Sequence, residues 1–154
     1  MLLLREANNS SDRGLVCAWH SNPIVFAGFY TIRKPLTWEE HYHWWFEVSK
    51  NWKKFMVVLI EDYTFREIGF IRIAPLEDFS PQTAVTIGEV SLWGKGYGKQ
   101  ALQLALDWLR DKGYKHTHTS ILSNNWRAIR LYESLGFKQY GEAREGEQWY
   151  QRKL

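Results

Sequence analysis

The stretch WGKGYGKQAL, residues 93–102, sets three glycines and two lysines directly before a helix-forming run. A helix start leaves backbone N–H groups unpaired, and the helix dipole adds about half a positive charge there. Glycine lacks the Cβ that would hold an anion away from the backbone, so the pattern points to phosphate binding. It is not a nucleoside-triphosphate loop: Trp93 stands where the first glycine is needed, and Gln100 where the magnesium-binding hydroxyl belongs. Nor is it a dinucleotide fingerprint, because a pattern starting at Gly94 needs glycine where Lys99 stands. Taken alone, these residues also fit a glycine-rich turn without a ligand.

A second pattern lies downstream in NNWRAIRLYESLGF, residues 124–137. Ala128, Leu131, Tyr132 and Leu135 form an apolar stripe at helical spacing. The stripe alone explains neither the Asn125 start nor the Gly136-Phe137 end in register with it. Other titratable groups carry less. His116 and His118 share one face of a strand and read as a solvated face before a metal pair. In EEHYHWW, residues 39–45, His41 and His43 diverge on a helix, which excludes the zinc motif H-E-x-x-H. Cys17, the one cysteine, sits in an apolar stretch and reads as a structural thiol.

These residues need elements to position them. Leu2–Arg5 reads as a strand, and the polar cluster at Asn8–Ser11 caps a helix through Trp19 that ends before Pro23. Thr37 and Glu40 fit a capping box for a helix to about Val48. Lys54–Asp62 and Glu67–Leu76 read as a buried hairpin around a polar turn at Tyr63–Arg66. In its second strand Ile71 and Ile73 share one face, and Ile68, Phe70 and Arg72 the other. Gln82–Gly88 is a further strand. Leu102, Ala105, Leu106 and Leu109 mark a helix from Gly98 stopped by Gly113. Lys115–Leu122, Phe137–Tyr140 and Gln148–Lys153 read as strands, and Asn125–Leu135 as a helix. Strands and helices mix without a βαβ repeat, so the class is α/β in the α+β sense, over one domain spanning residues 1–154.

Composition sets bounds. A 45% apolar share with 24% charged residues is that of a soluble globular protein, and nine tryptophans suggest stacked aromatic walls. The net charge of +3 is dispersed, without the polybasic block of a nucleic-acid surface. The N-terminal MLLLRE lacks the basic region and cleavage site of a signal peptide, and no apolar run reaches the ~20 residues of a membrane span. The expected location is cytoplasmic.

Through Gly96 and Gly98 the loop resembles the x-x-G-x-G acetyl-CoA loop of the GNAT superfamily of N-acyltransferases. Asn125, Ala128, Tyr132, Gly136 and Phe137 resemble its N-x-x-A-x-x-x-Y-x-x-x-G-F pattern, in the same order. Trp93 departs from the Gln or Arg usual before the loop, leaving the backbone amides as main donors. The resemblance implies a mixed, mostly antiparallel sheet of six to seven strands with about four helices. It also implies direct acetyl transfer to an amine, with acetyl-CoA as co-substrate and no metal. The amides around Gly96, Tyr97 and Gly98 would hold the pyrophosphate, flanked by Lys95 and Lys99. Asn125 would bind the pantetheine arm or the acetyl region, and Ala128 would let the CoA chain pass closely. Tyr132 would reprotonate the leaving thiolate, and the amides of Ile87 and Gly88 would activate the carbonyl where the Gln82–Gly88 strand splays from Lys115–Leu122. Ser120, His116, His118 and Glu89 are candidates for the general base, with a water chain as the alternative.

The stretch Ala18–Trp45 resembles the amino-sugar branch, including nucleotide-linked amino-sugar N-acetyltransferases of pseudaminic acid biosynthesis, through Trp19, Pro23, Glu39, Glu40, His41 and Trp44. His20 and Ser21 depart from the Arg and Asn of that pattern. Trp19, Glu40 and His41 are its candidate acceptor contacts, although each also fits a core or capping role. The expected partner is a small-molecule amine, such as an amino sugar nucleotide; dimers are common in the superfamily. Nα-acetylation of a protein terminus and a non-catalytic acyl-CoA sensor are the alternatives.

Overall fold

The computed structural model describes residues 1–29 and 34–154. Seven segments form strands, the central ones rich in β-branched and aromatic residues: β1 (Leu2–Glu6), β2 (Lys53–Glu61), β3 (Thr64–Ala74), β4 (Gln82–Ile87), β5 (His116–Leu122), β6 (Lys138–Arg144) and β7 (Glu147–Lys153). They make one sheet in the order β1-β2-β3-β4-β5-β7-β6. Every neighbouring pair is antiparallel except β4 and β5, which run parallel and pair only at Gln82 and His118. Beyond that pair the two strands part.

Five helices accompany the sheet among the described residues: α1 (Ser10–Ser21), α2 (Pro23–Phe26), α3 (Trp38–His43), α4 (Tyr97–Asp111) and α5 (Trp126–Ser134). Asn9 caps α1 by accepting from the Asp12 N–H at 2.8 Å. Asp12 in turn takes two bonds from the Arg5 guanidinium, at 2.7 and 2.9 Å, tying α1 to β1. Thr37 caps α3 through the Glu40 N–H at 3.1 Å. The Glu40 carboxylate does not return the bond and instead borders the cavity described below. The helix expected through Val48 ends as one π-helical turn, Trp44–Val48.

The sheet carries a core on each face. One face packs Val57, Leu59, Ile71 and Ile73 against Leu102, Leu106 and Leu109 of α4 and Tyr132 of α5. The other packs Met56, Val58 and Phe70 against Val16, Trp19, Val25 and Trp45. Ile68 joins Ile71 and Ile73, not Phe70 and Arg72 as strict alternation predicts. The cause is a β-bulge: Val57 faces Gly69 but Val58 faces Glu67, so Ile68 is an extra residue on β3 and the side-chain phase flips there. The hairpin turn is also tighter than expected. It is the two residues Asp62 and Tyr63, at φ +46° and +64°, so Thr64–Arg66 belong to β3. A turn with both central residues at positive φ matches the twist of its strands.

Candidate active site

The glycine loop becomes the N-terminus of α4. Gly94 and Gly96 have φ of +79° and +84°, a region that L side chains rarely adopt. The turn closes with Gln100 N–H donating to the Gly96 carbonyl at 3.1 Å. The amides of Tyr97, Gly98 and Lys99 therefore have no helical acceptor and face outward. Gly96, Tyr97, Gly98 and Lys99 border a cavity of about 1400 Å³, whereas Lys95 is exposed outside it.

The cavity runs from this loop through the gap between β4 and β5 to the space under α1 and α3. Gly88 N–H donates to the Ile68 carbonyl at 2.9 Å, and that bond fixes the phase of β4. By antiparallel alternation, the amides of Ile87 and Val85 point away from β3, into the gap. Val85 N–H is met there by the Tyr132 hydroxyl at 3.2 Å. The Ile87 carbonyl accepts from Trp93 Nε1 at 2.8 Å. Of the two amides expected to face an acyl carbonyl, only Ile87's is so aimed. Gly88 serves differently: a Cβ on it would lie 2.1 Å from the Trp19 ring, so it is the hollow into which that indole packs. Trp93 is a strut for β4, with the Arg127 guanidinium 5.1 Å from its ring centre.

Tyr132 is buried, edge-on to Phe137, and its hydroxyl lies at the inner end of the gap. Burial pushes its pKa above the ordinary phenol value, opposed by the Val85 amide, the Thr119 side chain and the charge of Arg72. Asn125 caps α5, its Oδ1 accepting from Ala128 N–H at 3.2 Å. Its Nδ2 packs on Gly28, where a Cβ would come within 2.8 Å of that amide nitrogen. Asn125 and Ala128 both border the cavity.

At the far end, the candidate acceptor residues separate. Glu40 borders the cavity, but Trp19 and His41 do not. Trp19 is core, and His41 is fully buried with neither ring nitrogen bonded. The His41 ring packs at 5.3 Å from both His20 and Trp44, which do reach the cavity. Burial holds both imidazoles neutral, pushing His20 down to about 3 and His41 to about 4; neighbouring positive charge adds to the effect. The wall also includes Trp52 and Arg72, whose guanidinium lies 5.2 Å from the Trp52 ring centre. Sequence reasoning passed over Trp52 and Arg72 on this wall, and met His20 and Trp44 only as positions of the acceptor pattern. The usable signal was an arginine in an otherwise apolar strand.

Among the proposed bases, Glu89 is paired with Arg66 at 3.3 Å and lies off the cavity. His116 stacks on Phe79, and His118 on Trp149; neither borders the cavity. Ser120 does. Among the described residues, no three His, Cys, Asp or Glu side chains group to hold a metal, and no helix is long and apolar enough to cross a membrane.

This architecture has relatives. The uncharacterized protein MJ1062 of Methanocaldococcus jannaschii is 40% identical over 150 residues, 97% of this chain and 31% of that protein, so the chain spans under a third of its length. The crystal structure of a domain from the same organism has a TM-score of 0.94 at 40% identity, covering 100% of this chain and 99% of the other. Spermidine N-acetyltransferase from Vibrio cholerae, solved with CoA and spermine, gives 0.80 at 17% identity, over 99% and 94% of the two chains. The family model for the acetyltransferase (GNAT) domain matches residues 1–138, and the chain belongs to that family.

Proposed function

We propose that the chain transfers an acetyl group from acetyl-CoA directly to a primary amine, and that the acceptor is a nucleotide-linked amino sugar. One observation carries the reading: the open amides of α4 lie at one end of a gap in the sheet, and the Tyr132 hydroxyl at the other. The CoA-bound structure of the V. cholerae relative supports the same ligand here.

Bound in this gap, acetyl-CoA supplies the acyl group as a thioester. The amides of Tyr97, Gly98 and Lys99 hold its pyrophosphate, with the Lys99 charge beside them. Asn125 and Ala128 border the path of the pantetheine arm. Ile87 N–H donates to the acyl oxygen as charge develops there. The Tyr132 hydroxyl donates a proton to the departing sulfur, and burial keeps that proton in place at neutral pH. Holding both reactants in one cleft supplies much of the acceleration, and water entering the cavity carries off the amine proton.

At the acceptor end, Trp44 and Trp52 offer flat faces to a sugar or a base. Spermine, present in the V. cholerae structure, is a polycation, and Arg72 on this wall disfavours such an acceptor. The test is thiol release from acetyl-CoA over a panel of amines. Turnover should be strongest with nucleotide-linked amino sugars and weak with spermidine. Turnover confined to peptide α-amines would replace the acceptor assignment, and acetyl-CoA binding without release on any amine would make the chain a sensor.

A further inference from the structure

Arg72 stands in the acceptor half of the cavity without a counter-charge. It has no carboxylate within 4.0 Å and no side-chain hydrogen bond among the described residues; its guanidinium lies over the face of Trp52, and its charge acts on the neutral Tyr132 and His20 side chains. The residue paired with it on β2 is Lys54, a second cation, and directly opposed like charges on one sheet face repel. Lys54 is occupied elsewhere, its ammonium donating to the Ser49 carbonyl and lying 5.1 Å from the Trp45 ring centre. Two carboxylates border the cavity, Glu40 on α3 and Glu147 on β7, and neither reaches the guanidinium. A partly buried arginine kept unpaired, with a lysine across the strand, is costly unless an anion arrives with the ligand.

Its strand position sets the anion beside the gap, on the wall shared with Trp52. On β4 the residue paired with Arg72 is Ala84, next to Val85, whose amide meets Tyr132. Ile87 pairs with Gly69, three residues along β3 from Arg72. At ~3.4 Å per residue, about 10 Å of strand separates the guanidinium's root from the Ile87 amide. A pyranose ring with a phosphoryl oxygen on its far side suits a cavity of this length, its ring resting on the aromatic wall of Trp44 and Trp52. Arginine's planar fork suits a phosphate.

We infer that Arg72 is the acceptor's anion anchor, selecting an amino sugar that carries a phosphoryl group across the ring from its amine. This rests on the acetyltransferase reading for its substrate, but binding tests it separately. Phosphate on a free sugar and phosphate in a nucleoside-diphosphate linkage present the same chemistry to Arg72, so the probes distinguish them. CoA-saturated protein, with its pyrophosphate loop filled, is titrated calorimetrically with glucosamine 6-phosphate, a nucleoside-diphosphate-linked 4-amino hexose, and glucosamine. The wild type should bind at least one phosphorylated probe tenfold or more tightly than glucosamine. Arg72→Met should reduce that ratio at least tenfold, and Arg72→Lys should keep part of it. In the thiol-release assay, the kcat/KM ratio of phosphorylated to unphosphorylated sugar should fall likewise. Preference for the free sugar phosphate or for the nucleotide-linked sugar names the source. Equal binding of glucosamine and both phosphorylated probes, or a ratio unchanged in Arg72→Met, overturns the inference. Binding that depends on Arg72 without any thiol release would leave the anchor standing and refute the acetyltransferase reading.

Discussion

Single side chains on this scaffold carry roles that their type alone does not disclose. The place of Tyr132 and Asn125 beside the cavity was legible, because their spacing to Ala128, Gly136 and Phe137 is in the sequence. Which of the Ile87 and Gly88 amides faces the gap was not, since it depends on which amides β3 consumes, and the bulge at Ile68 sets that phase. Trp19 and His41 were legible as aromatic residues of the acceptor pattern, but packing on both sides buries them, and neither borders the cavity. Gly88 gives a residue-scale prediction. Gly88→Ala drives a methyl into the Trp19 indole and should cost about 1–3 kcal/mol, the range for overpacked cores. Chemical denaturation measures it, and a cost below about 0.5 kcal/mol, that of a neutral surface change, would show that the indole yields freely.

At the scale of elements, strand and helix positions followed closely from composition and periodicity, because apolar stripes and β-branched runs dictate them locally. The misses were long-range or stereochemical. The tight Asp62-Tyr63 turn uses residues other than the usual glycine, and the π-helical turn after His43 carries Trp44 against His20 and Trp45 against Phe70 without a local pattern that announces it. The parting of β4 and β5 beyond Gln82 and His118 has no sequence signature at all. It came only through the family resemblance. The start of α4 offers a direct test of the loop. Gly96→Ala must hold a side chain at φ +84°, costing about 1–2 kcal/mol of stability. It also sets a methyl at the mouth of the amide cradle, so calorimetric CoA affinity should fall. Lost stability with unchanged CoA affinity would move the pyrophosphate elsewhere.

Across the whole molecule, the acceptor side is held up by buried neutral imidazoles, which makes stability depend on pH. His20 and His41 titrate near 3 and 4 in the folded protein, below the ordinary 6.5. As pH falls below 6.5 the unfolded chain takes up protons that the folded one refuses, so stability present above that value is lost progressively toward pH 4. Each histidine contributes a slope of up to ~1.4 kcal/mol per pH unit. Urea unfolding at pH 7, 6 and 5 should show a steep decline, and His41→Gln should flatten it by about half. A wild-type curve level from pH 7 to 5 would contradict the buried neutral pair.

In the proposed reaction, a buried tyrosine at the inner end of the sheet gap delivers the proton to the leaving thiolate. Tyr132→Phe keeps the ring and its packing on Phe137 while removing that proton. Steady-state thiol release should show kcat reduced by about 10²-fold, the scale of general-acid catalysis, with the KM for acetyl-CoA little changed. A kcat within a factor of two of wild type would contradict the account.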